Sequence, residues 1–212
     1  MKNIQEVNDF KEILKGRRSI RIYDTSVKIS KEEMTQILEE ATLAPSSINM
    51  QPWRFLIIES LEAKEKLAPI AMFNQTQVET SSAVIAVFGD LNNFDYREEI
   101  YNKAVELGYM PLEVKEKQLS SIEAHIATLD PQVNRETVLI DGGLVAMQLM
   151  LVARSHGYDT CAMGGFEKDK IAEVFDLDKD RYVPVMLISI GKAADSGYKS
   201  VRLPINEIAQ WK

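Results

Sequence analysis

The chain has little of what staples or marks small proteins. A single cysteine, Cys161, stands among 212 residues. No internal disulfide can form, which points to a reducing, cytoplasmic compartment. The only two histidines, His125 and His156, lie in separate segments with no Cys or His at ligand spacing, which speaks against a zinc site. Each reads as a surface or helix-end residue, and Cys161 as a buried small hydrophobe rather than a reactive thiol. Positive charge is also short: 25 Lys and Arg face 32 Asp and Glu, a net charge of −7. A protein that tracks nucleic-acid phosphates shows the opposite balance, so no nucleic-acid partner is expected. No apolar run approaches the roughly 20 residues that span a bilayer. Met1-Lys2-Asn3-Ile4 begins no signal-peptide run, so no membrane partner is expected. Absent too are the phosphate loop, the G-x-S-x-G elbow and the G-x-G-x-x-G turn.

What is present describes one globular domain. At 45% hydrophobic and 27% charged residues, disorder is excluded and a real core is affordable. Ile4, Val7, Phe10, Ile13 and Leu14 keep a rough helical period until Gly16. Ser30-Lys31-Glu32-Glu33 reads as a capping box, with Glu33 reaching back, ahead of a helix over 31–43 that Pro45 ends. Trp53 to Ile58, Ala83 to Phe88 and Pro184 to Ile190 are three core strands, with short helices at 60–67 and 167–175. The stretch 137–155 is apolar nearly all round, as a central or interface helix is, and Gly157 stops it. Residues 94–130 are polar and helical, an excursion or lid between core strands. The tail 193–212 carries no core pattern and must dock on something. Helices and strands alternate irregularly, which favours an α+β sandwich over a doubly wound sheet.

Three segments carry chemistry. Arg17-Arg18-Ser19-Ile20-Arg21 gathers three guanidinium groups and a hydroxyl in an acidic chain. Arg suits bidentate phosphate recognition, although a solvated basic turn has the same composition. Ala44-Pro45-Ser46-Ser47-Ile48-Asn49-Met50-Gln51-Pro52-Trp53 packs two hydroxyls and two carboxamides into one loop. Carboxamides donate and accept, which suits a heterocycle edge, yet Ser, Asn and Pro also build ordinary turns. Gly164-Gly165 follows Asp159-Thr160-Cys161-Ala162-Met163. Adjacent glycines let a flat ligand reach backbone amides, or simply make a turn.

Taken together and in order, RRSIRIYD, APSSINMQPWRF, GYDTCAMGGF, PVMLISIGK and VRLP resemble the FMN-dependent nitroreductase family over essentially the whole chain. The resemblance implies a three-layer α/β/α sandwich with a central, mostly antiparallel sheet, in an intertwined homodimer with flavin at the subunit interface. It implies that Arg17, Arg18 and Ser19 hold the flavin phosphate and ribityl chain, with Arg21 toward the pyrimidine edge. The loop at Pro45, Ser46, Ser47, Asn49 and Gln51 would come from the partner. Asn74 or Gln75 would read the flavin edge, Gly164 and Gly165 would offer amides to flavin N5, and Lys199 and Arg202 would complete the phosphate grip. Gly164 stands where many relatives carry an acidic residue, so backbone chemistry is implied there.

The implied activity is transfer of electrons from NADH or NADPH through FMN to a nitroaromatic, quinone or similar small-molecule acceptor. Chemistry carried by a cofactor agrees with the missing dyad or triad. Alternatives are a flavin-binding storage or redox-sensing module, or a flavin-fragmenting or reductively dehalogenating relative. The 94–130 excursion is expected to gate acceptor choice and to contribute little to flavin binding.

Overall fold

The sheet has four strands: β1 (Trp53–Ile58), β2 (Ala83–Asp90), β3 (Asp159–Met163) and β4 (Tyr182–Gly191). All pair antiparallel, in the order β1-β2-β4-β3. The computed structural model describes residues 9–212. In it β2 is buried at all eight positions, because helices cover both faces of the sheet. Ala83, Ile85 and Val87 enter one core cluster, and Val84, Ala86 and Phe88 the other, following the two-residue period of a strand. Pro184 is tolerated in β4 because it sits at a register shift opposite Val87 and Phe88. It also lies before Leu187, where pairing with β3 starts, so no ladder donor is missed.

The helices are α1 (Phe10–Gly16), α2 (Lys31–Ala41), α3 (Leu61–Leu67), α4 (Gln75–Thr80), α5 (Arg97–Glu106), α6 (Leu112–Ile126), α7 (Pro131–Ser155), α8 (Lys168–Val174) and α9 (Ile205–Ile208). Met34, Ile37 and Ala41 of α2 and Val145, Ala146, Leu149 and Ala153 of α7 close the first cluster. Leu67 of α3, Val78 of α4 and Ile171 of α8 close the second. The result is the three-layer α+β sandwich, with one strand more than the sequence reading. Burial in the core accounts for part of the apolarity of α7, which by length and composition alone could cross a membrane: 44% of its most apolar stretch lies inside.

Local sequence explains most element ends. Ser30 Oγ accepts from Glu33 N at 3.1 Å and starts α2. The reciprocal half of the box is absent, because the Glu33 carboxylate instead accepts from Tyr158 OH at 2.7 Å. Helix α2 stops at Ala41 rather than residue 43. Helix α7 starts six residues earlier than expected, where Asp130 accepts from Gln132 N at 2.7 Å and Pro131 takes the first turn. Of the early apolar period, only Ile13 of α1 is buried, and Ile4 and Val7 lie outside the described residues. Close approach fixes α7 on the sheet. A Cβ on Gly142 would lie 2.6 Å from Val185 Cγ2, and one on Gly89 would lie 2.1 Å from Val138 Cγ1.

The excursion has a small core of its own, made of Tyr101, Leu119 and Ile122. Its fourth member is Met50, from the 44–53 loop.

Candidate functional site

The first group of site residues surrounds a cavity of about 290 Å³ lined by Arg17, Arg18, Ser19, Arg21, Tyr198, Lys199, Ser200 and Arg202. Residues from opposite ends of the chain meet there because Gly197 takes a left-handed φ of +63° and presses on the 18–20 segment. A Cβ at Gly197 would lie 3.0 Å from Ile20 Cδ1 and 3.1 Å from Arg18 Cβ, so glycine is needed for both conformation and approach. Arg18 donates Nη1 to the carbonyls of Lys15 and Arg17, at 2.7 and 2.8 Å. Arg202 donates Nη1 to Ser200 Oγ at 2.7 Å. Arg21 donates to Ser19 O at 3.3 Å and stacks 5.8 Å from the Tyr198 ring centre.

Among the described residues no carboxylate pairs with any of these five cations. Like charges so close repel, and a dianionic phosphate is the ligand that relieves them best. The residues therefore fit the phosphate end of FMN. The segment is tied to the sheet by a parallel bridge from Ser19 to Thr160 and a bond from Ile20 N to Thr160 O at 3.1 Å. Cys161 follows in β3. Burial pushes its thiol up, against the opposing pull of Arg21, a bond with Ser19, and Arg17. It stays a neutral thiol in the core.

The glycine pair follows directly on β3, the strand whose Thr160 bonds the 19–20 segment. Gly164 is exposed, and a Cβ there would meet nothing within 4 Å. Asn74 reaches across the fold to hold the turn: Nδ2 donates to Gly165 O at 2.8 Å and to Ala71 O at 3.2 Å. Its Oδ1 accepts from Gln77 Nε2 at 3.0 Å. The Asn74 carboxamide is thus committed within the chain, while Gln75 is exposed at the start of α4.

The second group is the 45–51 loop. Ile48, Asn49 and Gln51 take φ of 43°, 58° and 48°, a left-handed region that costs an L residue roughly 1–2 kcal/mol, most of all a β-branched one. Four contacts hold them. Both oxygens of Asp141, on α7, accept from Ser47 N at 3.1 Å. Tyr101 OH, on α5, donates to Ile48 O at 3.3 Å. Ser46 Oγ accepts from Gln51 N at 3.0 Å. Arg54 Nη1 donates to Gln51 O at 3.1 Å.

Arg54 is itself fixed. It pairs at 3.0 Å with Asp90, which is fully buried and also bound by Arg181 at 2.8 and 2.9 Å, and it stacks 4.6 Å from the Tyr96 ring centre. Pro45 is exposed at the loop's start, after α2 has ended. Met50 plugs the loop from beneath, between a cavity of about 520 Å³ toward α5 and one of about 370 Å³ toward α6 and α7.

Sequence reading missed Asp141, Tyr101 and Arg54 as supports of this loop. The excursion packs against this loop: Met50 belongs to the excursion's core and Tyr101 bonds the loop backbone. None of the hydrogen bonds among the described residues joins the loop to the cationic cavity. Within one chain the site residues thus fall into the cationic cavity, the 45–51 loop, and the turn at Gly164-Gly165 with Asn74 and Gln75. His125 and His156 stand at the ends of α6 and α7, His125 edge-on to Phe94 and His156 3.2 Å from Glu40.

The nitroreductase family model matches residues 14–192. The chain is 72% identical to "Putative NAD(P)H nitroreductase YdgI" of Bacillus subtilis, over 98% of this chain and 99% of that one. It is 36% identical to the CLA biosynthesis enone reductase of Lactiplantibacillus plantarum, over 92% and 90%. A crystal structure of an Exiguobacterium sibiricum protein, a "putative nitroreductase in complex with FMN", superposes with a TM-score of 0.97. It is 66% identical, over 99% of this chain and 100% of that one.

Proposed function

The chain belongs to the nitroreductase family, and from that premise we propose that it is an FMN-dependent oxidoreductase. It takes electrons from NADH or NADPH and delivers them to a nitroaromatic, quinone or similar acceptor. The observation that carries this reading is the cavity lined by five cationic side chains and no carboxylate, which suits a phosphate such as that of FMN, the group in the complex of the 66%-identical relative. Bound flavin supplies the two-electron chemistry, and the protein supplies binding, orientation and electrostatics.

In this reading Arg17, Arg18, Ser19, Lys199 and Arg202 hold the phosphate and ribityl chain. Arg21, at the sheet end of the cavity, stabilises negative charge that reduction adds to the ring system. Asn74, its carboxamide spent on Gly165, Ala71 and Gln77, sets the Gly164-Gly165 backbone so that its amides face the reacting edge, and of the two candidates Gln75 is left to read the pyrimidine side. Pro45, Ser46, Ser47, Asn49 and Gln51 complete the site from a second copy of the chain.

Two features support a homodimer. Among the described residues the loop and the cavity share no hydrogen bond within a chain, and apolar side chains lie open where a partner would cover them. Ile140, Leu144 and Met147 form an exposed stripe on α7, and the tail exposes Val201, Leu203, Ile205, Ile208 and Trp211. A reducing, cytoplasmic setting agrees with the single buried Cys161 thiol.

Steady-state oxidation of NADH and NADPH by purified, FMN-loaded protein tests the reading. We expect turnover that depends on an added quinone or nitroaromatic. Flavin binding with no turnover on any acceptor would leave a storage or sensing module instead.

A further inference from the structure

Asp141 is a buried carboxylate, 3% exposed, that the proposed chemistry does not use. It lies on α7, and its only bonds among the described residues are the two 3.1 Å contacts from Ser47 N. Burial pushes its carboxyl above the usual range, and the Ser47 amide pulls it only partly back. A carboxylate placed so is a poor device for stabilising a fold, because an apolar side chain on the same helix would lose no hydration. What it does hold is specific. Ser47 N opens the tight turn Ser47–Asn49, in which Ser46 makes no side-chain cap, and the turn leads directly into left-handed Ile48, Asn49 and Gln51.

We infer that Asp141 is a positioning residue: through the Ser47 amide it fixes the 46–51 loop in the conformation that presents Ser46, Ser47, Asn49 and Gln51 to the cofactor. This rests on the flavin reading given above. Helix α7 suits the task because it cannot drift. Gly142, the next residue, packs so closely on Val185 of β4 that even a Cβ would be 2.6 Å from it. The loop is thereby referenced to the sheet of its own chain.

The test compares Asp141→Ala and Asp141→Asn with the wild-type chain, by FMN titration followed through flavin fluorescence and by thermal melting of the apo protein. The alanine variant loses the acceptor and should bind FMN about tenfold more weakly. Its apo melting temperature should be no lower than that of the wild type. The asparagine variant keeps one oxygen acceptor and should stay within about threefold of wild type in FMN affinity. Wild-type FMN affinity in the alanine variant would overturn the inference. So would losses of affinity that track losses of melting temperature equally in both variants, since Asp141 would then serve the fold alone. A wild-type chain that binds no FMN would overturn this inference and the functional reading together, whereas the other two outcomes leave the reading standing.

Discussion

Arg17 and Arg21 line one cavity, but their surroundings assign them different work. Arg17 is half-buried and has no carboxylate partner among the described residues, so its charge is free for a phosphate. Arg21 is partly spent on Ser19 O and the Tyr198 ring, and it stands nearer β3. Charge-assisted bonds to a phosphate contribute on the order of 1.5–3 kcal/mol each. Arg17→Ala should therefore weaken FMN binding by at least about tenfold, as read by flavin titration. Arg21→Ala should cost less affinity and lower the flavin reduction potential instead. Equal FMN affinity in Arg17→Ala and wild type would remove the phosphate assignment. The basic cluster was legible because its members are contiguous in sequence. Lys199 and Arg202 show no link to it in local sequence, since it is the Gly197 turn that carries them back over 182 and 185 residues to Arg17. Asp141 and Tyr101 gave no signal at all: they lie 94 and 53 residues from the amide and carbonyl they hold.

Among the elements, α7 has the most to position. It fills one face of the sheet, carries Asp141 and leaves the stripe of Ile140, Leu144 and Met147 open. Gly142 sets its height over the sheet. Gly142→Val should overpack the Val185 contact and cost about 1–3 kcal/mol of stability, read by denaturant unfolding, with weaker FMN binding as Asp141 moves. Unchanged stability would contradict the contact. Strands β1 and β2 were plain in the sequence because each is a run of apolar residues with clear stops. Strand β3 was not. Asp159–Met163 is short and begins with an acid, and it becomes a strand through pairing with β4 and the Ser19 bridge, contacts no local pattern reveals. The early start of α7 was masked by Gln132, Asn134, Arg135 and Glu136, although Asp130-Pro131 is a good local start signal. The excursion's helices were legible from composition, but its union with the loop depends on one side chain, Met50, that reads as an ordinary loop residue.

For the whole molecule, the proposed shared site joins cofactor binding to assembly. A ligand that binds only the assembled state stabilises it by RT ln(1 + [L]/Kd), about 2.7 kcal/mol at a hundredfold excess over Kd. Truncation before Arg202 removes a cation of the cavity and the apolar tail together. It should weaken both flavin retention and dimer stability, as followed by sedimentation over a dilution series with and without FMN. A stable monomer that holds FMN at wild-type affinity would contradict the linkage. The central claim, that each site takes its cationic cavity from one copy and its loop from the other, has a direct test in mixed dimers. One copy carries Arg17→Ala with Arg202→Ala, the other Ser46→Ala with Asn49→Ala, and each homodimer should bind FMN weakly. After subunit exchange, a shared site predicts that every heterodimer regains one intact site, so FMN titration finds tight binding at about one flavin per four chains. If the mixture binds FMN no more tightly than the two homodimers alone, the site lies within a single chain and the account is wrong.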